Sequence, residues 1–413
     1  LEKAKNDYIC LIEKATMDQL FERYYRLLDN ISLDFIRGYA GIINWKARMI
    51  GIRGARGVGK TTLLLQYMKK NFPRDGSSLY ASLDNIWFSE NRLTDLTDRF
   101  VKQGGHFLFL DEVHKYQGWS QELKNIYDDY PELKIVFTGS SLLEIRKSRV
   151  DLSRRAVVYN IRGLSFREYL NLTLGLDLPV VRLEDILASH VDLAQEILNK
   201  VKPLKYFSSY LKSGYYPFFL EVPELYFHRL EEIINLILET ELPLLRKVEV
   251  ENVPKLKLLL KILAESAPFI PNIVKLSERS GLTRNTVISY LGYLEEAHLE
   301  KNLYRNAKGI TRLQKPDKIY LENTNLMHAL SPVGANIGNL RETFFVNQLS
   351  ENHIVEYAEE GDFKIDGRFI FETGGKTKGF SQINGISNSY VVADGIEYGT
   401  GNRLPLWLFG FLY

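Results

Sequence analysis

The pattern of hydrophobic and polar positions changes period several times along the chain. Up to about residue 40, Leu20, Phe21, Tyr24, Leu27 and Leu28 recur at helical spacing with charges between them. They predict an N-terminal helix that either covers a sheet edge or packs beside a ligand. Met49 to Ile52 then reads as a short buried strand, followed by a glycine-rich turn and a helix reaching about Asn71. Ser77 to Leu83 is a second strand. Phe107 to Leu110, four consecutive apolar residues, form a third that ends in Asp111 and Glu112. A helix from Ser120 to Tyr130, a strand from Lys134 to Ser141 and a strand from Ala156 to Ile161 complete the series. Strands alternating with helices predict an α/β fold built on a parallel sheet.

Beyond residue 165 the pattern is helical, with periodic leucines and aromatics in Ala194 to Leu211 and Leu225 to Leu242, separated by a turn at 213–221. From Val253, Leu256 to Leu263 and Asn272 to Ser280 form two helices. Thr283 caps a third that carries Val287, Leu291 and Leu294 inward. A ribbon from Leu303 to Arg305 and back through Lys318 to Leu321 then gives the order of a winged helix. The last segment opens with a helix from Leu340 to Ser350, carrying Glu342. Next, Phe363, Ile365, Phe369 and Phe371 share one face only if the turn at Asp366-Gly367 has an odd number of loop residues. That register, adopted here, places Asp362 and Glu372 together on the opposite face. The apolar tail Leu404 to Tyr413 reads as a buried terminal strand. The expected divisions are 1–165, 166–250, 251–330 and 331–413.

The chemistry concentrates after the first strand. Gly54, four residues, then Gly59, Lys60 and Thr61 match G-x-x-x-x-G-K-[ST], with a strand before and a helix after. Backbone amides of such a turn converge on phosphate oxygens, and the helix N-terminus adds positive partial charge. Gly54, Arg56, Gly57, Val58, Gly59, Lys60, Thr61 and Thr62 are therefore the expected phosphate cradle. Lys60 reaches the β and γ phosphates, and the Thr61 hydroxyl is a ligand for Mg²⁺. Asp111 and Glu112 stand at the C-terminal end of a central strand, the edge where open α/β sheets bind ligands. Asp111 is placed to hold Mg²⁺ opposite Thr61, and Glu112 to orient and deprotonate a water attacking the γ-phosphate.

This order of phosphate loop, Asp-Glu strand and a strand ending in a polar residue resembles the AAA+ ATPases. The resemblance implies ATP as the nucleotide, a P-loop NTPase sheet of AAA+ type, and a helical lid, for which a plain linker over 166–250 is the alternative. It also implies a sensor near the γ-phosphate, for which Ser140 is the candidate, with Thr138 or Ser141 as substitutes. A finger arginine offered to a neighbouring subunit falls on Arg154 or Arg155, unless these two mark a solvated strand edge. Over nearly its whole length the chain resembles a family of predicted bacterial and archaeal AAA+ ATPases. These carry a winged helix and a C-terminal domain of unknown function related to the restriction-endonuclease-like fold. On that resemblance Glu342, Asp362, Glu372 and Lys376 form a second candidate site of the two-acids-and-a-lysine kind. Two departures disfavour nuclease activity. Thr373, Gly374 and Gly375 separate the acid from the lysine, and residues 331–413 carry 6 basic and 10 acidic side chains, net −4. A degenerate nuclease-like domain is the expected state.

Composition narrows the setting. A chain of 413 residues exceeds one ordinary core and suits two to four domains. No apolar run is long enough to span a bilayer, and no secretory leader is read at the start. The single cysteine, Cys10, rules out an internal disulfide and fits a cytoplasmic protein. Seven histidines are scattered without metal-site spacing. Residues 251–330 carry 12 basic and 8 acidic side chains, net +4, and Arg284, Asn285 and Ser289 should face outward on the third helix. Duplex DNA and a protein partner are both candidates for this face, since winged helices serve as protein-packing modules as well as DNA readers. The functional expectation is a Mg²⁺-dependent ATPase coupled to the downstream domains. A slow nucleotide switch on a protein partner and an ATP-gated nuclease are the alternatives, and a homo-oligomer is compatible with each.

Overall fold

The computed structural model describes residues 17–139, 152, 154–266, 268, 270–305, 315–331 and 336–413. Cys10, Ser140 and Ser141 lie outside the described residues. The chain forms two compact units, Leu1–Arg162 and Gly163–Tyr413.

In the first unit, β1 (Met49–Gly54), β2 (Ser78–Ser82), β3 (Phe107–Asp111), β4 (Lys134–Gly139) and β5 (Val157–Ile161) make one parallel sheet in the order β2-β3-β4-β1-β5. Helices α1 (17–30), α2 (Lys60–Asn71), α3 (Leu93–Lys102) and α4 (Trp119–Asp129) accompany it. The apolar runs form inner strands because both faces are buried, Phe109 and Val136 on one side and Leu108, Leu110, Ile135 and Phe137 on the other. Leu108, Leu110, Ile135 and Phe137 are buried with Leu96, Phe100, Trp119 and Leu123 in a shared core. Helix α1 buries Met17, Leu20, Tyr24 and Leu28, and the Tyr24 hydroxyl lies 3.1 Å from Ser78 Oγ on β2. It therefore lies along the sheet's edge strand, the first of the two roles expected for it.

The second unit begins with α5 (Phe166–Leu174), α6 (Leu183–Leu198), α7 (Pro203–Ser213) and α8 (Tyr226–Leu236). A capping box fixes the start of α5. Ser165 Oγ accepts from the Glu168 amide at 3.1 Å, and the Glu168 carboxylate accepts from the Ser165 amide at 3.4 Å. The helix expected to run on to Leu242 instead passes into a π-helical turn at Ile237–Glu241. Pro243, lacking an N–H, follows at the start of the next short helix, Leu242–Arg246. Three helices come next, α9 (Val253–Ser266), α10 (Ile273–Ser280) and α11 (Arg284–Glu296), followed by an antiparallel ribbon of β6 (Glu300–Leu303) and β7 (Lys318–Leu321). The first ribbon strand ends at Leu303 rather than starting there. Beyond it the Asp317 carboxylate replaces the ladder, accepting from the Arg305 amide at 2.9 Å.

After α12 (Thr324–Leu330) and α13 (Ile337–Leu349), a second sheet runs β12-β11-β10-β9-β8, with β8 (Val355–Tyr357), β9 (Phe363–Ile365), β10 (Phe369–Gly374), β11 (Ser389–Ala393) and β12 (Arg403–Pro405). The β9–β10 hairpin pairs Ile365 with Phe369 and Phe363 with Phe371. Its loop is thus the odd one of three residues, with Asp366 and Gly367 at φ 54° and 68°. All four apolar side chains are buried. The apolar tail corrects one expectation. After β12 it is a 3-10 helix, Leu406–Phe411, not a strand. Every side chain of this run is buried, which a helical turn wedged among α5, α6 and α13 achieves without a further sheet partner. Phe166, Leu170, Ile186 and Phe207 share one core with Phe344, Phe371, Leu404 and Trp407, so the helices of 166–211 and the C-terminal sheet are built on common apolar contacts. Among the described residues no helix is long and apolar enough to cross a membrane.

Candidate nucleotide site

The turn between β1 and α2 is shaped by two backbone demands. A Cβ on Gly54 would stand 2.1 Å from the Ile161 carbonyl oxygen, so strand β5 can approach only a glycine there. Gly59, the residue before α2, has φ 92° and ψ 27°, a conformation costly for any side chain. Val58 between the glycines is fully buried and anchors the loop, while Arg56 and Gly57 are half-buried and Thr62 is exposed. Lys60 folds back over the turn, its Nζ donating to the carbonyls of Gly54 at 3.0 Å and Ala55 at 2.9 Å.

Opposite the loop, Asp111 at the end of β3 is only 2% exposed and organises the site. Its Oδ2 accepts from Thr61 Oγ1 at 2.6 Å and from the Tyr80 hydroxyl at 2.9 Å. Its Oδ1 accepts from Thr138 Oγ1, and from the Glu112 amide at 3.2 Å. Burial, then the Asp111 charge, pushes the Tyr80 phenol up, so it stays protonated and donates. Thr61 and Asp111 thus bring hard oxygen donors from the loop and the neighbouring strand to one point, a donor set of the type Mg²⁺ takes.

Glu112 sits in the left-handed region, φ 53° and ψ 39°, where the backbone leaves the extended line of β3. Its amide is held by Thr138 Oγ1 at 3.1 Å. His114 Nε2 lies 3.6 Å from the Glu112 carboxylate. Burial, reinforced by Lys115, Lys60 and Arg56, pushes the His114 imidazole down to about 3. The ring is therefore neutral near pH 7, and this approach is not an ion pair at that pH.

The remaining expected residues fall elsewhere. Thr138, named as a substitute for Ser140, touches both Asp111 and Glu112. Arg155 stands at the N-terminal end of β5, at the opposite end of the strands from the loop, and its Nε and Nη2 each meet the Asp128 carboxylate at 2.9 Å. Arg154 is exposed beside it. In the second unit, Glu342 accepts from Lys318 Nζ at 2.7 Å and the Tyr320 hydroxyl at 2.8 Å. Asp362 accepts from the Thr373 amide at 2.8 Å and its Oγ1 at 2.9 Å. Glu372 pairs with Lys378 rather than Lys376, while the Lys376 carbonyl receives Arg403. Gly374 explains the substitution. It remains in strand β10, and any Cβ on it would meet Lys378 side-chain atoms at 2.5 Å, so the bare backbone lets Lys378 lie back to Glu372. Burial pushes the Glu372 carboxyl up, against the Lys378 hydrogen bond and with Asp362 and Glu342 adding to the rise. Among the described residues no three His, Cys, Asp or Glu side chains are grouped so that they could hold a metal ion. Arg284, Asn285 and Ser289 are exposed on α11, as their spacing required.

Two of the residues that sequence reasoning missed have partners distant in the chain. Tyr80 is 31 residues from Asp111, and Arg37, whose guanidinium meets the Val58 carbonyl, is 21 residues from it. The Asp-Glu-x-His spacing was visible, but nothing in it marked His114 as buried.

Residues 46–170 match the family described as "AAA domain", and residues 204–337 match a "Domain of unknown function (DUF8612)". The chain is 28% identical over 330 residues to the uncharacterized protein MJ1637 of Methanocaldococcus jannaschii, covering 76% of this chain and 69% of that one. Among solved structures it is similar to the Walker-type ATPase PABY2304 of Pyrococcus abyssi, at 13% identity and a TM-score of 0.35 over 69% of this chain and 91% of that one. It is also similar to AMPPCP-bound DnaA from Aquifex aeolicus, at 17% identity and a TM-score of 0.26 over 67% and 87%. The AAA-domain match takes in all five strands of the parallel sheet and the turn between β1 and α2.

Proposed function

We propose that the chain binds ATP with Mg²⁺ and hydrolyses it to ADP and phosphate, and that nucleotide state governs the second unit. The observation that carries this reading is the 2.6 Å contact between Thr61 Oγ1 and Asp111 Oδ2, with Glu112 one residue further on. Thr61 and Asp111 would hold the metal, which neutralises phosphate charge when bound. Gly57, Val58, Gly59, Thr61 and Thr62 supply backbone amides to the phosphates. Lys60 exchanges the Gly54 and Ala55 carbonyls for phosphate oxygens. Glu112 accepts a proton from water as its oxygen attacks the γ-phosphorus and the bond to the ADP oxygen breaks. Thr138 holds the Glu112 amide and acts as the polar residue beside that water, with Ser140 as the other candidate.

Lys60→Ala should abolish nucleotide binding, whereas Glu112→Gln should retain binding and lower turnover about 10²–10⁴-fold, the range for loss of a general base. Wild-type turnover in Glu112→Gln would defeat the assignment.

A second feature favours a nucleic-acid output. Arg284, Asn285 and Ser289 are exposed together on α11, the third helix of the three-helix and ribbon segment, which supports a winged helix reading duplex DNA. Affinity for duplex should fall as salt rises, and Arg284→Glu should flatten the slope. Binding indifferent to salt would favour a protein partner instead. Arg155 as a finger toward a second copy would require release of Asp128. The acids of the C-terminal sheet fit a degenerate nuclease site, each engaged by its own neighbours.

A further inference from the structure

Arg37 is only 5% exposed, yet no catalytic pattern includes it. Its Nη1 donates to two main-chain carbonyls, Val58 at 2.9 Å and Arg162 at 2.6 Å. The guanidinium also lies 5.0 Å from the centre of the Tyr39 ring, and the Tyr39 hydroxyl accepts from the Arg162 amide at 3.2 Å. The phosphate loop therefore rests on the exit of β5 at both ends. Gly54 abuts the Ile161 carbonyl, and Val58 is tied through Arg37 to Arg162, the last residue of the first unit.

We propose that Arg37 is a positioning residue of the phosphate loop, orienting and polarising the Val58–Gly59 peptide for the nucleotide's β-phosphate. A trans peptide holds its C=O and N–H on opposite sides, so fixing the Val58 oxygen on Arg37 turns the Gly59 N–H away from Arg37. Gly59 precedes α2 directly, where amides converge on an anion. A cation donating to the carbonyl draws electron density toward the oxygen and makes the same peptide's N–H a stronger donor. The guanidinium keeps its charge at every working pH, so it also holds positive potential under the loop. Because the same nitrogen binds Arg162, ordering of the loop is felt where the chain leaves the first unit.

This inference rests on the loop being the phosphate site, and the test separates the two. ADP affinity with Mg²⁺ is measured by calorimetry on the full chain for wild type, Lys60→Ala, Arg37→Ala, Arg37→Gln and Arg37→Lys. Arg37→Ala and Arg37→Gln should each lose tenfold or more, and Arg37→Lys, which keeps a cationic donor, should return to within about threefold of wild type. A purely structural arginine would lower the unfolding midpoint of Arg37→Ala and leave ADP affinity unchanged, which overturns the proposal. If neither neutral variant folds, hydrogen exchange on the wild type decides. Added ADP and Mg²⁺ should slow exchange at 36–38 and 160–163 together with 55–62, and slowing confined to 55–62 overturns the proposal. Should wild type bind no ADP, or Lys60→Ala bind it equally well, the phosphate-loop reading fails and takes this one with it. Loss of binding in Lys60→Ala alone removes only the role given to Arg37.

Discussion

Tyr80→Phe isolates the interaction that holds the site's central carboxylate. The substitution keeps the ring, so it opens no cavity beside the buried β2 strand. What is lost is the 2.9 Å donor to Asp111 Oδ2. Hydrogen bonds to a charged group contribute about 1.5–3 kcal/mol. Asp111 keeps Thr61, Thr138 and the Glu112 amide, so the lower part of that range, about 1.5–2 kcal/mol, is expected. For a unit the size of Leu1–Arg162 this corresponds to a fall of about 3–8 °C in the first unit's unfolding midpoint. Calorimetry without nucleotide reads it directly. A double-mutant cycle with Asp111→Asn assigns the loss to the pair, and a coupling of at least about 1 kcal/mol is expected. An unchanged midpoint, or strict additivity in the cycle, would show that the phenol does not hold Asp111.

Two further predictions concern protons. His114 is held neutral, at about 3 against an ordinary 6.5, so the unfolded chain binds the extra proton between those limits. Stability contributed by the neutral ring is complete above 6.5 and falls by up to about 1.4 kcal/mol per pH unit on acidification. His114→Asn should flatten the urea-unfolding slope between pH 6.5 and 4 relative to wild type, and an unaltered slope would contradict the burial argument. Glu372 has the opposite sign, since burial raises a carboxyl whose Oε2 meets no hydrogen-bond donor among the described residues. Its charge costs stability above the raised value and the cost disappears on acidification, so Glu372→Gln should raise the second unit's unfolding midpoint at neutral pH. If Mg²⁺ stabilised wild type and not Glu372→Gln, the acids would instead be a working metal site.

The strand, turn and helix around the expected phosphate cradle were legible because the pattern is contiguous. Gly54 to Thr62 carry backbone geometry, amides and lysine in nine residues, and Asp111-Glu112 end a run that could only be a central strand. The odd hairpin was also legible, since a buried face is continuous in one register and broken in the other. Where partners cross between strands the sequence carries no such signal. Tyr80 was one residue in a short apolar strand, and Lys376 and Lys378 could not be separated without knowing that the chain folds back over Gly374. The shared core of 166–211 with the C-terminal sheet was hidden for the same reason, because helical periodicity shows that a face is buried and not what buries it.

Within the second unit, the ribbon after α11 is tied to the C-terminal sheet. Lys318 and Tyr320 of β7 both donate to Glu342 on α13, and the Tyr357 amide of β8 donates to the Tyr304 carbonyl at 3.1 Å, just beyond β6. The Tyr320 ring also lies 5.8 Å from that of Phe363 on β9. Each bond to Glu342 is charge-assisted and contributes about 1.5–3 kcal/mol, so a load on α11 too small to break both moves the ribbon and α13 together. Glu342 adds to the charge felt by Glu372, so a displaced ribbon alters the acids of the sheet and not only its own position. Lys318→Met combined with Tyr320→Phe should uncouple the two. Hydrogen exchange across β9 and β10 should then rise while that of α10 and α11 stays at the wild-type level. Equal exchange in β9 and β10 would show that the Tyr304–Tyr357 contact and the apolar packing carry the connection without Glu342.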